Sequence, residues 1–232
     1  MSVRKHIPNA ITSLNLLCGV IGIILTLNCK SLELAFFFML AAVVFDFCDG
    51  LAARLLGAYS EIGKELDSLA DVVSFGVLPS VMLYKWYSLS VEGPWHNLVC
   101  VPLLLAVFSA LRLAKFNLDE RQHDSFIGLP TPACALICGS FCTLHVASVW
   151  IIPLFTLVFC WLLICEIPMF SLKFGKDIHA DAVTRMKRYA IVSIAAIVVV
   201  IVFVLGLPWQ AIITGVLLAY ILENALCAIF KV

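Results

Sequence analysis

Eight runs of mostly apolar residues, at roughly 10–28, 33–56, 67–88, 97–115, 131–151, 153–172, 187–206 and 208–230, leave this chain little room for anything else. Each approaches the ~20 residues a helix needs to cross the hydrocarbon core of a bilayer. A soluble fold of 232 residues lacks the interior to hide them, since 63% of the residues are apolar and 13% charged. Soluble domains are about 45–50% apolar and about 25% charged. The composition also excludes a disordered chain. Its 15 basic residues are balanced by 15 acidic ones, which leaves no electrostatic case for a nucleic-acid partner. The reading is an all-α integral membrane protein with about eight transmembrane helices. Pro153 and Pro208 each follow a very short break, so runs five and six, and seven and eight, read as tight hairpins. Arg4, Lys5 and His6 precede the first run as they would in a signal peptide. That run is too long and lacks a small-x-small cleavage site, so it is kept as a span.

Charge asymmetry orients the bundle. With an even number of spans, one side carries Arg4, Lys5, Arg54, Lys64, Arg112, Lys115, Arg121, Lys173, Lys176, Arg185, Lys187, Arg188 and Lys231. The other side keeps only Lys30 and Lys85. Positive charge marks the cytoplasmic side, so both termini are expected there. Trp86, Trp95, Trp150 and Trp209 fall near the opposite ends, as an interfacial belt would. The ten cysteines form no Cys-x-x-Cys pair. Cys134, Cys138 and Cys142 share a helical face and read as small packing residues, with a soft-metal site as the alternative.

Four acids interrupt this apolar pattern. Asp46 and Asp49 lie in the second run, and Asp67 and Asp71 open the third. Each costs roughly 2.5–3.5 kcal/mol at a helix centre on insertion scales. Spacings of i, i+3 and i, i+4 place each pair on one helix face. Gly50, Ala53 and Gly57 continue the first face, and Gly63 and Ser74 continue the second. Small residues there permit close approach by a backbone or a bulky ligand. Arg54, and more loosely Lys64, are the nearby cations. A divalent cation, or two, would neutralise the cluster, and all-oxygen ligation selects Mg2+ or Mn2+ over zinc. A two-metal arrangement suits displacement at phosphorus. The bland alternative is that the acids merely cap helix ends at the membrane surface.

Other polar residues read less sharply. Asn9, Thr12 and Asn15 form a polar set in the first run, and Thr12, Asn15, Gly19 and Gly22 share a face. They point to a polar ligand or to another helix. Arg112, with Lys115 and Asn117 close by, reads as an anion site or as a snorkelling arginine. Glu166 and Glu223 read as interfacial. His6, His96, His123, His145 and His179 show no ligand spacing.

Residues 46–71 fit D-x-x-D-G-x-x-A-R-x8-G-x3-D-x3-D at every fixed position: Asp46, Asp49, Gly50, Ala53, Arg54, Gly63, Asp67 and Asp71. This pattern resembles the CDP-alcohol phosphotransferase family. RKHIPNAITSLNLLCG at the start, SFGVLPSVMLY (74–84), ALRLAKFN (110–117) and FIGLPTPA (126–133) look like its serine-using members.

The resemblance implies a membrane enzyme that moves the phosphatidyl group of CDP-diacylglycerol to L-serine, giving phosphatidylserine and CMP. It implies Asp46, Asp49 and Asp67 as metal ligands, the cofactor expected being Mg2+ or Mn2+ with two ions per active site. Asp71 would also reach the metal and serve as general base, a nucleophilic role being the alternative. Gly50, Ala53, Arg54 and Gly63 would bind the nucleotide, with Asn9, Thr12 and Asn15 on the donor. Arg112, Lys115 and Asn117 would hold serine. A six-helix catalytic core (1–185), an added hairpin (186–232), a homodimer and a prokaryotic cell membrane complete the expectation. Glycerol 3-phosphate or inositol phosphate is the alternative acceptor. Arg112, Lys115 and Arg121 mixed with Asp119, Glu120 and Asp124 suit a zwitterion better. A divalent cation transporter is the other class, disfavoured because the acidic pairs have no counterpart in runs five to eight.

Overall fold

The computed structural model describes residues 6–28, 31–118, 126–144, 150–169 and 182–230. It is helical apart from one two-stranded pairing. Helices α1 (His6–Leu27) and α2 (Leu32–Leu56) form the first hairpin. A continuous rod follows, made of α3 (Glu61–Asp71), a π-helical segment (Val72–Val77) and α4 (Leu78–Ser90). A 3₁₀ segment (Gly93–Leu103) leads into α5 (Leu104–Leu118). Then come α6 (Thr131–Thr143), α7 (Ile151–Ile164), α8 (Ala182–Val204) and α9 (Gln210–Phe230). Among the described residues, four helical segments are long and apolar enough to cross a membrane: His6–Leu27, Leu32–Leu56, Glu61–Ser90 and Gly93–Leu118.

Two expectations change. The third helix begins at Glu61 rather than 67, because Ser60 caps it by accepting a hydrogen bond from Gly63 N at 3.0 Å. Asp67 and Asp71 therefore sit in its second and third turns. The fifth and sixth runs hold regular helices of only 13 and 14 residues. Helix α6 tightens at Leu144, whose N–H donates to Phe141 O at 3.1 Å. Helix α7 stops where Cys165 turns extended, shortly before Pro168. The connections at 145–149 and 170–181 lie outside the described residues, as do His123, His145 and His179.

The bundle has two chemically distinct ends. At one, Trp95 packs edge-on against Trp150 with centroids 4.5 Å apart, and Tyr87 donates to Trp95 O at 2.9 Å. Trp209 stacks on Phe36 and Phe37 near the start of α2. At the other end lie Arg54, Lys64 and Lys115, close to the termini of α2, α3 and α5. Lys30, Arg4, Lys5, Arg121, Lys173, Lys176 and Lys231 lie outside the described residues, with Asp119, Glu120 and Asp124; so do the side chains of Arg185, Lys187 and Arg188.

The core gathers Phe36, Met39, Phe75, Leu78, Met82, Leu105 and Ile137 between α2, the central rod, α5 and α6. Large apolar side chains such as Phe47, Leu55, Ile62, Leu154 and Phe203 point outward. Contiguous apolar exposure on this scale suits a lipid-facing surface. Several buried hydroxyls bond within their own helices: Thr26 donates to Gly22 O and Thr156 to Ile152 O.

The π segment has a local cause. Pro79 has no N–H, and its ring would crowd the carbonyl of Phe75 in a regular helix. The turn widens instead, and Leu78 N–H bonds back to Val73 O. Glycines let neighbours close in on this stretch. A Cβ on Gly19 would lie 2.9 Å from Ser74 Cα, and one on Gly76 would lie 3.1 Å from Ser109 Cβ.

The start of α6 is tied to the end of α7. Phe126–Ile127 pairs antiparallel with Pro168–Met169, and Leu129 N donates to Leu162 O at 2.9 Å. Gly128 makes this possible, with a left-handed φ of 74° where a Cβ would meet Cys165 O at 2.8 Å. Helix α9 packs on α6, and Ser140 and Thr214 share a hydrogen bond of 2.7 Å. The boundary expected at 185/186 falls inside α8.

Candidate active site

The eight-residue spacer between Arg54 and Gly63 is a helix stop followed by a helix start. Gly57 ends α2 in the left-handed conformation (φ 57°), its N–H reaching Ala53 O and Arg54 O. Ser60 then opens α3. The turn brings α3 back beside α1 and places the two acidic faces together. Asp49 lies seven residues before Leu56, so about 10 Å of helix separates it from the end of α2.

Asp46, Asp49 and Asp67 each offer a carboxylate oxygen within 4.8 Å of the others. Asp49 is buried, and Asp46 and Asp67 are half-buried. Asp49 Oδ2 and Asp67 Oδ1 are buried with no hydrogen-bond partner. Leaving such oxygens unpaired costs roughly 1–3 kcal/mol each, more when charged. The motif arginine does not relieve them. Arg54 is exposed, and its Nε donates to Gly50 O in its own helix at 3.0 Å. Three clustered carboxylates, two of them with a buried partnerless oxygen, fit a divalent cation, and the group is suited to hold one.

Asp71 stands apart from this trio. It is buried, lies beside Asp46, and accepts a hydrogen bond from Asn15 Nδ2 on α1 at 3.3 Å. Ser74 secures Asn15 in turn by donating to its backbone oxygen at 3.0 Å.

Next to the trio is a cavity of about 580 Å³, lined by Asn9 and Thr12 from α1, Asp49, Gly50 and Ala53 from α2, and Gly63, Lys64 and Asp67 from α3. A Cβ on Gly50 would meet nothing within 4 Å, so this glycine borders open space. Gly63 is different: a Cβ there would lie 2.8 Å from Asn9 Oδ1.

Two expected donor contacts are not brought to this cavity. Arg54 bonds its own helix because the motif arginine sits on the last turn of α2, facing outward. Asn15 lies one turn deeper than Thr12 and faces Asp71. Lys64, only loosely favoured from sequence, lines the cavity instead, as do Tyr59, Ser60 and Glu61. Ser60 was legible as a capping serine. Nothing local marked Tyr59.

Arg112 is buried on α5. Its Nη1 donates to Thr131 Oγ1 at 3.2 Å, its guanidinium lies 5.6 Å from the Phe116 ring centroid, and it feels the charge of Asp71. Snorkelling is thus overturned, since the head group turns inward. Its expected companions do not join it. Lys115 is exposed, and Asn117 donates to Ser68 Oγ at 2.9 Å. Cys134, Cys138 and Cys142 are buried packing residues on α6. They are absent from the metal-holding group found among the described residues.

Three carboxylates able to hold a hard cation, set beside a cavity in a bundle with membrane-spanning helices, mark an integral membrane protein with a candidate metal-binding active site. The family model for CDP-alcohol phosphatidyltransferases matches residues 5–162, and the chain belongs to that family. A CDP-diacylglycerol–serine O-phosphatidyltransferase of Bacillus subtilis (strain 168) is 40% identical over 130 residues, covering 55% of this chain and 70% of the relative. One of Mycobacterium bovis is 34% identical over 205 residues, covering 82% of this chain and 68% of the relative. An archaetidylserine synthase of Methanothermobacter thermautotrophicus is 37% identical over 137 residues, covering 58% of this chain and 57% of the relative. Family membership removes the transporter reading.

Proposed function

We propose that this enzyme transfers the phosphatidyl group of CDP-diacylglycerol to L-serine, releasing CMP and phosphatidylserine. The observation that carries the reading is the clustering of Asp46, Asp49 and Asp67 beside a cavity edged by small residues. The serine-transferase names of the relatives support the acceptor.

In this reading the nucleotide head lies over Gly50, Ala53 and Gly63, with Asn9, Thr12 and Lys64 offering polar contacts. Asp46, Asp49 and Asp67 would hold the divalent ions, two of Mg2+ or Mn2+, with Asp71 alongside. Bound there, the metal supplies neutralisation of the pyrophosphate charge as the displacement proceeds. The serine hydroxyl oxygen forms a bond to the lipid-linked phosphorus. The bond from that phosphorus to the oxygen bridging to CMP breaks, and CMP carries away the electron pair. Asp71 takes the hydroxyl proton, as a carboxylate ordered by Asn15. Arg112, held by Thr131, grips the serine carboxylate.

The end that carries Arg54, Lys64 and Lys115, opposite the tryptophan end, faces the cytoplasm of a prokaryotic cell together with both termini. The core of residues 1–185 carries the chemistry, and α9, backed by α8, braces α6. The active form is a homodimer on the family resemblance alone.

The test is a product assay with purified protein and CDP-diacylglycerol, offering serine, glycerol 3-phosphate and inositol phosphate separately. Phosphatidylserine and CMP are expected from serine alone, and only with Mg2+ or Mn2+. Chelation should abolish both products, and readdition should restore them. CMP released with another acceptor would overturn serine while keeping the site. Arg112→Ala is expected to raise the serine KM by about 30-fold or more, the loss of a buried charge-assisted pair, with the donor KM little changed. An unchanged serine KM would remove Arg112 from the acceptor site.

A further inference from the structure

Asn15 has a second polar group that the donor assignment leaves unused. A carboxylate only accepts hydrogen bonds, so the side-chain nitrogen of Asn15 must face Asp71. That turns Asn15 Oδ1 elsewhere, and this oxygen is buried with no partner. The neighbouring hydroxyls are already committed: Thr12 donates to Pro8 O at 3.0 Å, and Ser74 to the Asn15 backbone oxygen at 3.0 Å. Asn15 itself is fully buried.

The opposite orphan belongs to α5, on the arginine that feels the charge of Asp71. Arg112 Nε is a buried donor without a partner, and Ser109 Oγ, one turn earlier on α5, has none either. Arg112 is 6% exposed and Ser109 0%. A residue with an unpartnered acceptor on α1 and one with an unpartnered cationic donor on α5 therefore both interact with one carboxylate, Asp71. A lone anion would answer Arg112 Nε but not Asn15 Oδ1, and a water answering either would be displaced when the amino acid binds. A small zwitterion serves both: its carboxylate answers Arg112 and its ammonium answers Asn15, with a hydroxyl between them at Asp71.

We infer that Asn15 is a specificity-determining residue of the acceptor site, reading the ammonium group of the amino acid through Oδ1 while its nitrogen orders Asp71. The inference rests on the serine-transfer reading and adds a residue to it. It also moves Asn15 from the donor side of the site to the acceptor side.

The experiment compares L-serine with 3-hydroxypropionate, which keeps the hydroxyl and carboxylate but lacks the ammonium. Both are assayed with CDP-diacylglycerol and Mn2+, following CMP and lipid product, in the full-length wild-type protein and in Asn15→Ala. The wild type should favour serine in kcat/KM by about 10³-fold or more, as sites built around a hydrogen bond do. In Asn15→Ala both rates fall as Asp71 loses its hydrogen bond, but the serine preference itself should shrink about 10- to 100-fold. A preserved preference with both rates reduced would mean that Asn15 acts on Asp71 alone, and would overturn the inference. Should Asn15→Ala fail to fold, Asn15→Ser gives the same comparison: a reduced preference supports the inference, an unchanged one ends it. Wild-type protein that makes no lipid product from serine overturns the functional reading beneath it, and is recognised before any variant is made.

Discussion

Asp49→Asn is expected to lose turnover by about 10³-fold or more, the scale of several kcal/mol of metal-supplied stabilisation. Asp49 is the most buried member of the trio, and its Oδ2 has no protein partner. An amide there keeps the volume but removes one negative charge. Mn2+ binding, followed by electron paramagnetic resonance in detergent, should weaken in step with activity. Stability should move the other way. Without metal, the clustered carboxylates repel one another at close range. Asp49→Asn relieves part of that repulsion, so in chelator its Tm should exceed that of the wild type. Adding Mn2+ should then raise the wild-type Tm more than the variant's, because ligand binding stabilises only what it binds. Unchanged Mn2+ affinity in the variant would remove Asp49 from the metal site.

Asp71→Asn should behave differently, because Asp71 lies outside the trio that converges on one point. An amide oxygen at position 71 still accepts the Asn15 hydrogen bond, so local geometry should survive. Mn2+ and donor binding are expected to stay near wild type, while kcat falls about 10²- to 10⁴-fold with the loss of a general base. Near wild-type turnover would end the base assignment. Isotope exchange separates base from nucleophile. If Asp71 formed a covalent phosphatidyl intermediate, labelled CMP would enter CDP-diacylglycerol without serine. The base role predicts no such exchange.

These two variants probe residues that were legible from the chain alone, for a simple reason. Within a helix, spacing decides which side chains share a face, so Asp46 with Asp49 and Asp67 with Asp71 could be paired without any partner helix. The turn between them was equally local: Gly57 supplies the left-handed stop and Ser60 the cap. The eight apolar runs announced their helices because lipid demands internally bonded backbone. Spacing also put Thr12, Asn15, Gly19 and Gly22 on one face, and all four are buried.

Assignments that needed a second element fared otherwise. Arg54 belongs to the motif, yet its position on the last turn of α2 lets it bond its own backbone while Lys64 reaches the cavity. Asn15 sits with Thr12 on one face, but the depth at which α1 meets the central rod separates them, one toward the cavity and the other toward Asp71. Arg112 turns inward because Thr131, 19 residues on, offers a hydroxyl at the start of α6. The π turn at Val72–Val77 reflects Pro79 and the close approach of α1 and α5 at Gly19 and Gly76.

The sequence by itself determined the membrane class, the helices, their polar faces and the acidic set, because periodicity and apolar length are properties of one segment at a time. The tertiary structure alone decided which polar atoms meet, which are left unpaired and which cation reaches the site. Those outcomes depend on how deeply and at what rotation helices pack, and that is set by small residues on facing surfaces rather than by any one run of the chain.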